Sequence, residues 1–506
     1  MEVIVIVLSV VVILLSNVFV YLCYEFWWKP ESCRMKLGKQ GIRGPPTSSI
    51  LGNIPEMKRL ISQISQTPQI DGPITIFPYF NKWTQHYGKL FKFALGKIQI
   101  LYVSNVELVK QLRVHRSWDL GKPSYLQNER GVLLGKGLIT TNGAVWSHQR
   151  QTVSPELYLD RVKDMVSLMV ESGSTMVESW EKLIESEEGG VCGITIDDHV
   201  RNFTSYITSK MVFGDDHHKG IKIVPTCIAL IKTMGSATTL GLPFSRLIPT
   251  KWIRESRRLS KEVREMIMDI VKARSGDNAS HQDILQVIFE GSKTAELGNL
   301  TKEEFIVDNC KDIFLAACEV TAIAAIWGLM LLASNPEWQA RARAEVQEVC
   351  GGQVPDSNML SKMPVLKMVI QEVLRLYPGV AFVSREAIQD VKLGEINIPK
   401  GVGIWIWMME LHRDPELWGA DADKFNPERF ANGVSGACKS PQAYIPFGLG
   451  ARVCPGQNLA VTELKVLFAM LLCNFKLTIS PKYRHSPKFR LLLEPEHGVD
   501  LLIQKI

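Results

Sequence analysis

One cysteine lies in a loop whose glycines and prolines disfavour regular helix or strand. The segment 446–456 reads PFGLGARVCPG, with Gly448 and Gly450 upstream of Cys454. The chain has ten cysteines, and none forms a Cys-x-x-Cys pair or a Cys/His cluster with zinc spacing. A single soft thiolate suits an iron site only where a macrocycle supplies the other ligands. The loop therefore predicts haem binding, with Cys454 as the metal ligand.

The residues around Cys454 suit this role. The preceding glycines permit a tight turn beneath a flat ring, so that backbone N–H groups face the sulfur. Phe447 is expected to pack against the ring, and Arg452 is expected to reach a propionate. A helix predicted to begin at Gly456 points the positive end of its dipole at the thiolate. The competing interpretation is a structural cysteine in a glycine-rich turn.

The pattern Phe447-x-x-Gly450-x-Arg452-x-Cys454-x-Gly456 resembles the haem-binding signature of the cytochrome P-450 family at all of its fixed positions. The resemblance implies a mainly α fold with small β-sheets, and haem b with an axial cysteine thiolate. It also implies a monooxygenase that uses O2, a small apolar substrate and electrons from an NADPH-cytochrome reductase. On this resemblance Cys454, Arg452 and Phe447 are cofactor-binding residues.

The same resemblance implies three further haem contacts. Trp146 and Arg150 lie four apart in VWSHQR, on one face of a predicted helix, and Arg385 lies in an extended segment. Arg150, Arg385 and the Trp146 indole N–H are expected to contact the propionates, because a buried dianion needs cationic partners. The alternative for each is an ordinary surface position. His148 and His412 are interpreted as core or surface histidines.

Glu372 and Arg375 lie three apart in VIQEVLRLYP, and Arg429 follows in NPERF. A pair of this kind commonly only stabilises a surface helix. The family resemblance implies instead a buried network of all three residues that supports the cysteine loop without taking part in catalysis. Such a network specifies geometry more than it adds net stability.

A long apolar helix is predicted from the capping box Thr301-x-x-Glu304 to Ala333, where Asn335-Pro336 ends it. At about 30 residues it would be roughly 45–50 Å long. A helix of this length crosses an entire domain and is expected to pass over the haem.

The centre of this helix, LAACEVTA at 315–322, departs from the family pattern Ala-Gly-x-Glu/Asp-Thr-Thr/Ser. Glu319 keeps the acid, but Ala317 replaces the glycine and Val320 replaces the threonine after the acid. That threonine's hydroxyl is expected to help hold oxygen and the water that delivers protons. Valine has the same shape without a hydrogen-bonding group. Thr321 keeps a hydroxyl but lies about 100° further round the helix. Glu319 and Thr321 are the candidate catalytic residues.

Three consequences of Val320 are open at this point. Glu319 with ordered water, or a polar group of the substrate, relays protons; the enzyme releases reducing equivalents as peroxide; or its main reaction does not need this proton delivery. The first is favoured because the rest of the apparatus is intact. The third defines the main alternative, a haem-thiolate isomerase or lyase. A non-enzymatic haem-binding protein is disfavoured because the helix keeps Glu319.

The first segment of the chain predicts a membrane anchor. Residues 3–24 carry no charged side chain and would form a helix of about 33 Å, against about 30 Å for the hydrocarbon core of a bilayer. Aromatic residues at 26–28 and an excess of Lys and Arg follow, which predicts a single-pass membrane protein with a cytoplasmic catalytic domain. The resemblance to the plant microsomal branch of the cytochrome P-450 family implies the endoplasmic reticulum membrane. A cleaved signal peptide is the alternative, but the apolar run is too long. The predicted organisation is a membrane anchor (1–28), a basic, proline-rich hinge (29–50) and a haem-thiolate catalytic domain (51–506).

The 506 residues are 46% apolar and 22% charged with a net charge of +6, an ordinary globular composition. The mild basic excess fits a membrane surface or an acidic protein partner and does not indicate nucleic acid. A β-hairpin is predicted at 90–95 and 98–103, and mainly helices from 155 to 350. A break is expected near 241–249, a loop within 282–304, and strands within 390–406 and near the C-terminus.

Four phrases resemble a plant group related to gibberellin-modifying and other terpenoid-acid hydroxylases. They are SWDLGKPSYL (117–126), FIVDNCKDIF (305–314), PERFANGVSGACK (427–439) and EPEHGVDLL (494–502). In this fold the segments expected to face the substrate are 118–135, 225–250, 314–321, 379–384 and 494–499. They place four apolar residues at the pocket: Val320, Val380, Ala381 and Phe382. A bulky apolar diterpenoid or triterpenoid is expected, with Lys122 and Arg246 as weaker candidates for binding a carboxylate.

Overall fold

The computed structural model describes residues 2–48, 50–64, 76–115, 118–234, 251–275, 282–294 and 298–506. These residues form two compact units. The first contains the described residues up to 125 together with 384–406, and the second contains those of 126–234, 251–383 and 407–506. Helices dominate and the sheets are small, so the predicted fold class is confirmed.

The described α-helices are, in chain order, α1 (Glu2–Cys23), α2 (Lys29–Gly38), α3 (Ile54–Ile64), α4 (Pro78–Tyr87), α5 (Val106–Val114), α6 (Ser124–Leu134), α7 (Gly143–Val153), α8 (Leu159–Asp164), α9 (Val166–Glu185), α10 (Asp197–Phe213), α11 (His217–Met234), α12 (Lys251–Ser275), α13 (Ile284–Thr294), α14 (Lys302–Ile313), α15 (Thr321–Ser334), α16 (Pro336–Cys350), α17 (Ser357–Ser361), α18 (Pro364–Leu376), α19 (Met408–Leu411), α20 (Pro415–Trp418), α21 (Gly433–Ala437) and α22 (Gln457–Asn474). The strands are β1 (Leu90–Leu95), β2 (Ile98–Val103), β3 (Leu120–Gly121), β4 (Val191–Thr195), β5 (Phe382–Ala387), β6 (Val391–Leu393), β7 (Ile396–Ile398), β8 (Gly403–Trp407), β9 (Phe475–Ile479), β10 (Pro487–Phe489), β11 (Leu493–Pro495) and β12 (Asp500–Lys505).

An uninterrupted helical stretch begins the first unit, because α1 continues through a π-helical segment (Tyr24–Trp28) into α2. Its apolar window is not buried against any described residue, as expected of a helix whose side chains would contact lipid. The first ten residues of the predicted hinge, 29–38, are therefore helical. The division of the chain at residues 28 and 50 stays a prediction.

The C-terminal half of this helical stretch is fixed to the β1–β2 hairpin of the same unit. Lys97 Nζ lies 3.7 Å from Glu25 Oε2 and 4.7 Å from the centroid of the Phe26 ring. Lys92 Nζ donates to the Arg34 carbonyl at 2.8 Å. These contacts hold the end of the helix against the sheet.

The sheet of the first unit has the strand order β1-β2-β8-β5-β3, with β1 and β2 as an antiparallel hairpin and β8 parallel to β2. The hairpin has the predicted bounds. Large aromatic side chains from α4 and the hairpin fill the space beneath it, and Phe91 stacks on Tyr102 with ring centroids 4.2 Å apart. Alternation of such residues along two adjacent strands explains why the hairpin signal was strong in the sequence.

The second unit contains the predicted long helix. The capping box is formed as expected: Thr301 Oγ1 accepts from the Glu304 N–H, and the Glu304 carboxylate accepts from the Thr301 N–H. The helix runs through α14, a π-helical segment (Phe314–Val320) and α15, and is mostly buried. The π-helical segment was not predicted, and such insertions are frequent at functional sites.

The helix α22, which follows the cysteine loop, packs tightly on two neighbours at glycines. A Cβ at Gly328 of α15 would lie 2.3 Å from Phe468 Cζ, and a Cβ at Gly173 of α9 would lie 2.4 Å from Met470 Sδ. Glycine at these two positions therefore lets the helices approach closely. Short strands were predicted near the C-terminus. Two of them, β9 and β12, form a sheet with β4.

The stretch predicted to include a loop, 282–304, begins with the helix α13 (Ile284–Thr294), and its described residues 298–301 are non-helical before α14 begins. Gly291 lies within α13. In the structure a Cβ at Gly291 would lie 2.6 Å from Thr152 Cγ2, so the residue serves close packing. The break expected near 241–249 lies outside the described residues.

Glu463 lies on α22 with a fully buried side chain, and neither carboxyl oxygen has a hydrogen-bond partner among the described residues. Burial raises the pKa of this carboxyl well above its ordinary value of 4.5. In the unfolded chain the group would ionise near that ordinary value. Between the two pKa values the native state binds more protons than the unfolded state, so the free energy of unfolding falls as the pH rises.

Replacement of Glu463 with methionine is expected to stabilise the protein at pH 7 by about 1–3 kcal/mol, because it removes an unsatisfied buried polar group. It should also remove a fall in the free energy of unfolding of up to about 1.4 kcal/mol per pH unit above the ordinary pKa. Unfolding midpoints from circular dichroism across this pH range measure both effects.

The matched control is Glu463→Gln, which cannot ionise but keeps its polar atoms. It should flatten the pH dependence without the gain that an apolar side chain brings. If both variants keep the parent's pH dependence, the buried carboxyl is not held neutral in the native state.

Candidate active site

The cysteine loop turns as its glycines predict. Gly448 and Gly450 have φ values of +78° and +67°, a region that favours glycine. The turn brings the Cys454 N–H to the Phe447 carbonyl at 2.8 Å. The helix α22 begins just after Gly456. The sulfur therefore lies at the end of a rigid turn close to the positive end of a helix.

Cys454 differs from the buried cysteines in its surroundings. It is half-buried, whereas Cys227 and Cys318 are fully surrounded by protein. Burial raises the pKa of Cys227 to about 12 and that of Cys318 to about 11, so both remain neutral thiols. Cys454 instead lies within electrostatic range of the Arg150 guanidinium. A guanidinium near a cysteine is a feature of metal-binding and reactive cysteine sites.

Arg150 of α7 binds the cysteine loop directly. Its Nη1 donates to the Val453 carbonyl at 2.8 Å, one residue before Cys454. Arg150 is partly buried, and this burial lowers the pKa of its guanidinium. The structure thus brings Arg150 to the loop, while its predicted contact with a propionate stays a prediction.

Arg452 joins the cysteine loop to the start of the same helix. Its guanidinium carbon lies 4.1 Å from the centroid of the Trp146 ring, a cation–π contact. Nη1 donates to the Thr141 carbonyl at 3.0 Å, and Nη2 donates to Asn142 Oδ1 at 2.6 Å. Arg452 and Trp146, which were predicted separately, therefore form one cluster beside the loop that carries Cys454.

Phe447 lies within the cysteine loop and is partly exposed. Arg385 lies on β5 in the first unit, where its Nη1 donates to the Ser384 carbonyl at 2.8 Å. Burial lowers the pKa of Arg385 to about 10, so a carboxylate placed against this guanidinium would be favourable. The haem contacts expected of both residues stay predictions.

The predicted Glu372–Arg375–Arg429 network is present. Glu372 Oε2 accepts from Arg375 Nε at 2.7 Å, and Glu372 Oε1 accepts from Arg429 Nε at 3.1 Å and from the Asn426 N–H at 2.9 Å. Asp421 Oδ2 binds the other end of Arg429 at 3.0 Å. Glu372 and Arg375 are fully buried, so this is a core network and not a pair on a helix surface.

His412 connects this network to the cysteine loop. Arg375 Nη1 donates to the His412 carbonyl at 2.7 Å, and the Ile445 N–H donates to His412 Nε2 at 3.0 Å, directly before the loop. Burial and the neighbouring Arg375 lower the pKa of His412 to about 3. The ring is therefore neutral, and its Nδ1–H donates to the Arg375 carbonyl at 3.2 Å. Its interpretation as a core or surface histidine missed this connecting role.

Three residues of the long helix open onto free space. Within 305–333 every described residue is buried except Ala316, Ala317 and Val320, which are exposed or partly exposed. They share one face of the π-helical segment, where the sequence departs from the family pattern. This face is therefore the least buried part of the helix between residues 305 and 333.

Glu319 points away from that face and is bound by a residue that sequence reasoning missed. Arg201 of α10 donates from Nε to both carboxylate oxygens, at 3.0 and 3.2 Å, and lies 3.7 Å from Asp197. Burial raises the pKa of Glu319, and Arg201 offsets only part of this effect. Asp197 and Arg201 are four residues apart, a spacing typical of an ion pair on a helix. Because both are far from Glu319 in the sequence, the spacing gave no indication that Arg201 binds Glu319.

Val320 packs against the chain segment expected to face the substrate. A Cβ at Gly379 would lie 2.6 Å from Val320 Cγ1, so the two residues are in close contact. The Gly379 carbonyl accepts from the Leu493 N–H at 3.2 Å, and the Phe382 and Phe489 rings meet edge to face at 5.7 Å. The apolar segments around 379–382 and 489–493 therefore meet beside the helix.

Thr321 is buried, in contrast to its neighbour Val320. This agrees with the rotation of about 100° between successive helical residues. Its predicted catalytic role stays a prediction. Lys122 is partly buried in the first unit, and Arg246 lies outside the described residues.

The residues near Cys454 fit a haem. They offer one half-exposed thiol and two guanidinium groups, Arg150 and Arg452, within the same unit. No group of three or more His, Cys, Asp or Glu side chains that could hold a metal by itself occurs in the described part of the chain. A single sulfur donor with adjacent cations suits an iron porphyrin, whose ring supplies four ligands and whose propionates need positive partners.

Comparison with known proteins agrees with this geometry. The family model "Cytochrome P450" matches residues 55–503. The chain is 45% identical to "Cytochrome P450 714C2" from Oryza sativa subsp. japonica over 509 residues, covering 98% of this chain and 97% of that protein. It is 41% identical to "Cytochrome P450 714C3" from the same species, with both chains fully covered. Identity to "Cytochrome P450 714B3" from Zea mays is 40%, covering 96% and 93% of the two chains.

The contact between Gly379 and Val320 makes the two positions interdependent. Gly379→Ala is expected to destabilise the protein by about 1–3 kcal/mol, because its new methyl group overlaps Val320. The double variant Gly379→Ala/Val320→Ala should recover most of this loss, since the smaller side chain makes room. Thermal unfolding of the parent, both single variants and the double variant measures the coupling.

Additive effects of the two substitutions would contradict the contact. Coupling between residues in contact is usually about 0.5–3 kcal/mol, whereas independent sites add within about 0.5 kcal/mol. The four proteins should be compared with the same ligation state of the haem.

Proposed function

Since this chain belongs to the cytochrome P-450 family, we propose that it is a membrane-bound haem-thiolate monooxygenase that hydroxylates or epoxidises a bulky apolar plant metabolite. The reaction inserts one atom of O2 into the substrate and reduces the other to water with two electrons and two protons. We propose NADPH-cytochrome reductase as the electron donor. The observation that carries this proposal is the Cys454 loop, bound by Arg150 and reached by the buried Glu372 network.

The protein's own residues hold the cofactor. When bound, haem b supplies the oxygen-activating iron, with the Cys454 thiolate as its axial ligand. Arg150, Arg452 and the Trp146 indole are proposed to bind the propionates, and Arg385 is proposed to add a further cation. Phe447 is proposed to cover the sulfur and limit its contact with water.

The substrate is proposed to be a diterpenoid or a triterpenoid. The open face of the long helix, formed by Ala316, Ala317 and Val320, carries no polar side chain. Phe382 and Val380 are proposed to extend this apolar face. Such a wall favours a large hydrocarbon skeleton. The likeness of several phrases to gibberellin-modifying hydroxylases fits the same class.

Proton delivery is proposed to pass through Glu319 and not through the residue that follows it. Glu319 borders a small cavity whose lining includes Lys232, Arg490 and Glu494, and Arg201 holds its carboxylate. Because burial raises its pKa, Glu319 is better matched to donate a proton near neutral pH than an exposed acid. Thr321 is proposed to support this route with its hydroxyl.

The membrane setting is also a proposal. The exposed apolar window of the first helix supports a single-pass anchor, and its basic flank supports a cytoplasmic catalytic domain at the endoplasmic reticulum. The reductase is expected to dock on the basic face near the cysteine loop. Charge complementarity of this kind steers association.

A second function is a haem-thiolate isomerase or lyase. Ala317 and Val320 favour it, because neither can hold the water that usually delivers protons. Such an enzyme would turn over substrate without reductase, whereas a monooxygenase consumes NADPH and O2 in proportion to product. The two functions are therefore separable by one set of measurements.

The deciding experiment expresses the full chain with a plant reductase and supplies a panel of diterpenoids and triterpenoids. We expect a thiolate-ligated spectrum for the reduced, CO-bound protein, and an oxygenated product that requires NADPH. Cys454→Ala should abolish both, and Cys473→Ala, which alters another half-exposed thiol, should leave both intact. Full turnover without reductase would contradict the monooxygenase assignment.

Val320→Thr tests the proton route. Threonine has the shape of valine, so it keeps the contact with Gly379, and its hydroxyl can make one additional hydrogen bond. A hydrogen bond worth about 1 kcal/mol would raise the ratio of product to peroxide by about fivefold. Val320→Ala is the control, since it opens space without adding a hydroxyl. Simultaneous assays of NADPH, product and peroxide measure the ratio. Unchanged coupling, with peroxide already low in the parent, would refute this account.

A further inference from the structure

Three polar side chains on one face of α14 bind the backbone of a loop in the same unit. Asp308 Oδ2 accepts from the Lys136 N–H at 2.8 Å, and Asp312 Oδ2 accepts from the Ile139 N–H at 2.7 Å. Asn309 Oδ1 accepts from the N–H of Leu138, between them, at 3.2 Å. All three side chains are buried, and they directly precede the π-helical segment of the long helix.

The loop is fitted to these side chains without spare room. A Cβ at Gly135 would lie 2.1 Å from Asp308 Cγ, and a Cβ at Gly137 would lie 2.4 Å from Asp312 Oδ2. Gly135 also has a φ of +56°, which favours glycine. The sequence GKGLI therefore lets the backbone reach the two carboxylates.

The outer side of this loop borders an open cleft. Gly135 and Lys136 line a cleft of about 420 Å³, together with residues of α12 and α14. A loop that borders a cleft needs polar contacts for its order, because few apolar atoms can be buried there. The three acceptors of α14 supply these contacts.

On its other side the loop is bound to the residues near Cys454. Gln149 Nε2 of α7 donates to the Lys136 carbonyl at 2.9 Å. Arg452 donates to the Thr141 carbonyl at 3.0 Å and to Asn142 Oδ1 at 2.6 Å. Hydrogen bonds therefore connect the loop 135–142 both to the long helix and to the cysteine loop.

The charges along this face are already balanced. Lys311 Nζ lies 2.8 Å from Asp308 Oδ1, with both side chains below 10% exposure, and Lys136 Nζ lies 3.0 Å from Glu304 Oε1. Replacing Asp308 would leave Lys311 buried without its partner, so a loss there would mix two effects. Asp312, whose Oδ2 accepts directly from the Ile139 N–H of the loop, is therefore the position to test.

We propose that Asp308, Asn309 and Asp312 are positioning residues that hold the loop 135–142, and through it hold Arg452 and Trp146 at the haem. They form what we term the α14 clamp. The clamp makes retention of the cofactor depend on the helix on the opposite side of the site. The inference rests on haem binding by this family and not on the identity of the substrate.

The test compares Asp312→Leu with Asp312→Asn in the purified, haem-loaded full chain. Leucine removes the acceptor and leaves the Ile139 N–H buried and unpaired, so amide exchange in 136–142 and transfer of haem to excess apomyoglobin should each become about tenfold faster. The reduced, CO-bound spectrum should also lose part of its thiolate signature. Asparagine keeps an acceptor oxygen and should stay within about twofold of the parent, a difference of about 0.4 kcal/mol.

Asp283→Leu is the control for a general loss of stability. Asp283 is also a buried acid that accepts from a backbone N–H, that of Gln286 at 3.0 Å, and it pairs with the buried Arg274 at 2.9 Å, but it lies just before α13 and away from the loop contacts of α14. Each protein is measured at the same number of degrees below its own unfolding midpoint. Under these conditions Asp283→Leu should have the same rates of amide exchange in the loop and of haem transfer as the parent. If Asp312→Leu does not fold, Gly137→Ala tests the same contact from the loop side, because its methyl group would overlap Asp312.

The proposal fails if loop exchange and haem transfer are unchanged in Asp312→Leu. It also fails if Asp312→Asn is as defective as the leucine variant, or if Asp283→Leu produces the same local effect. None of these measurements needs a substrate. Their outcome is therefore independent of whether the chain oxidises a terpenoid.

Discussion

The structure depends on one buried carboxylate. Glu372 receives two guanidinium groups, those of Arg375 and Arg429, and a charge in this position is costly unless it is fully paired. Arg375 in turn binds the carbonyl of His412, whose neutral ring accepts from the N–H of Ile445 at the start of the cysteine loop. Because these hydrogen bonds end at Ile445, directly before the cysteine loop, they fix where the loop begins. The network thus contributes a defined position for a sulfur atom more than it contributes net stability.

From that fixed loop, contacts extend to the opposite side of the site. Arg150 and Arg452 tie the loop to α7 and to the segment before it, and the α14 clamp ties this segment to the long helix. Elements that are more than a hundred residues apart in the chain are in this way joined by short polar contacts. Such an arrangement suits a flat cofactor that has to be held on two sides, because neither side alone determines the spacing between them.

The long helix shows how one substitution changes the role of its neighbours. Val320 lies on the open face, in contact with Gly379, where it contributes shape and no hydrogen bond. Glu319, the preceding residue, points away from the open face and is bound by Arg201. The Glu319 carboxylate and the side chain of Val320 therefore lie about 100° apart around the helix axis. The π-helical segment makes this possible, since the extra residue in its turn shifts the faces on which successive side chains lie.

The sequence alone predicted a candidate ligand, Cys454, and determined the main elements. These predictions came from local patterns: the spacing around Cys454, the capping box at Thr301 and the apolar residues of the β1–β2 hairpin. Such patterns reflect backbone geometry that neighbouring residues specify. The tertiary structure decided which distant residues meet. Packing between segments far apart in the chain produces the partner of Glu319, the link through His412 and the closeness of Gly379 to Val320. No periodicity encodes such pairings, because a contact across the core leaves no trace in the order of the residues on either side.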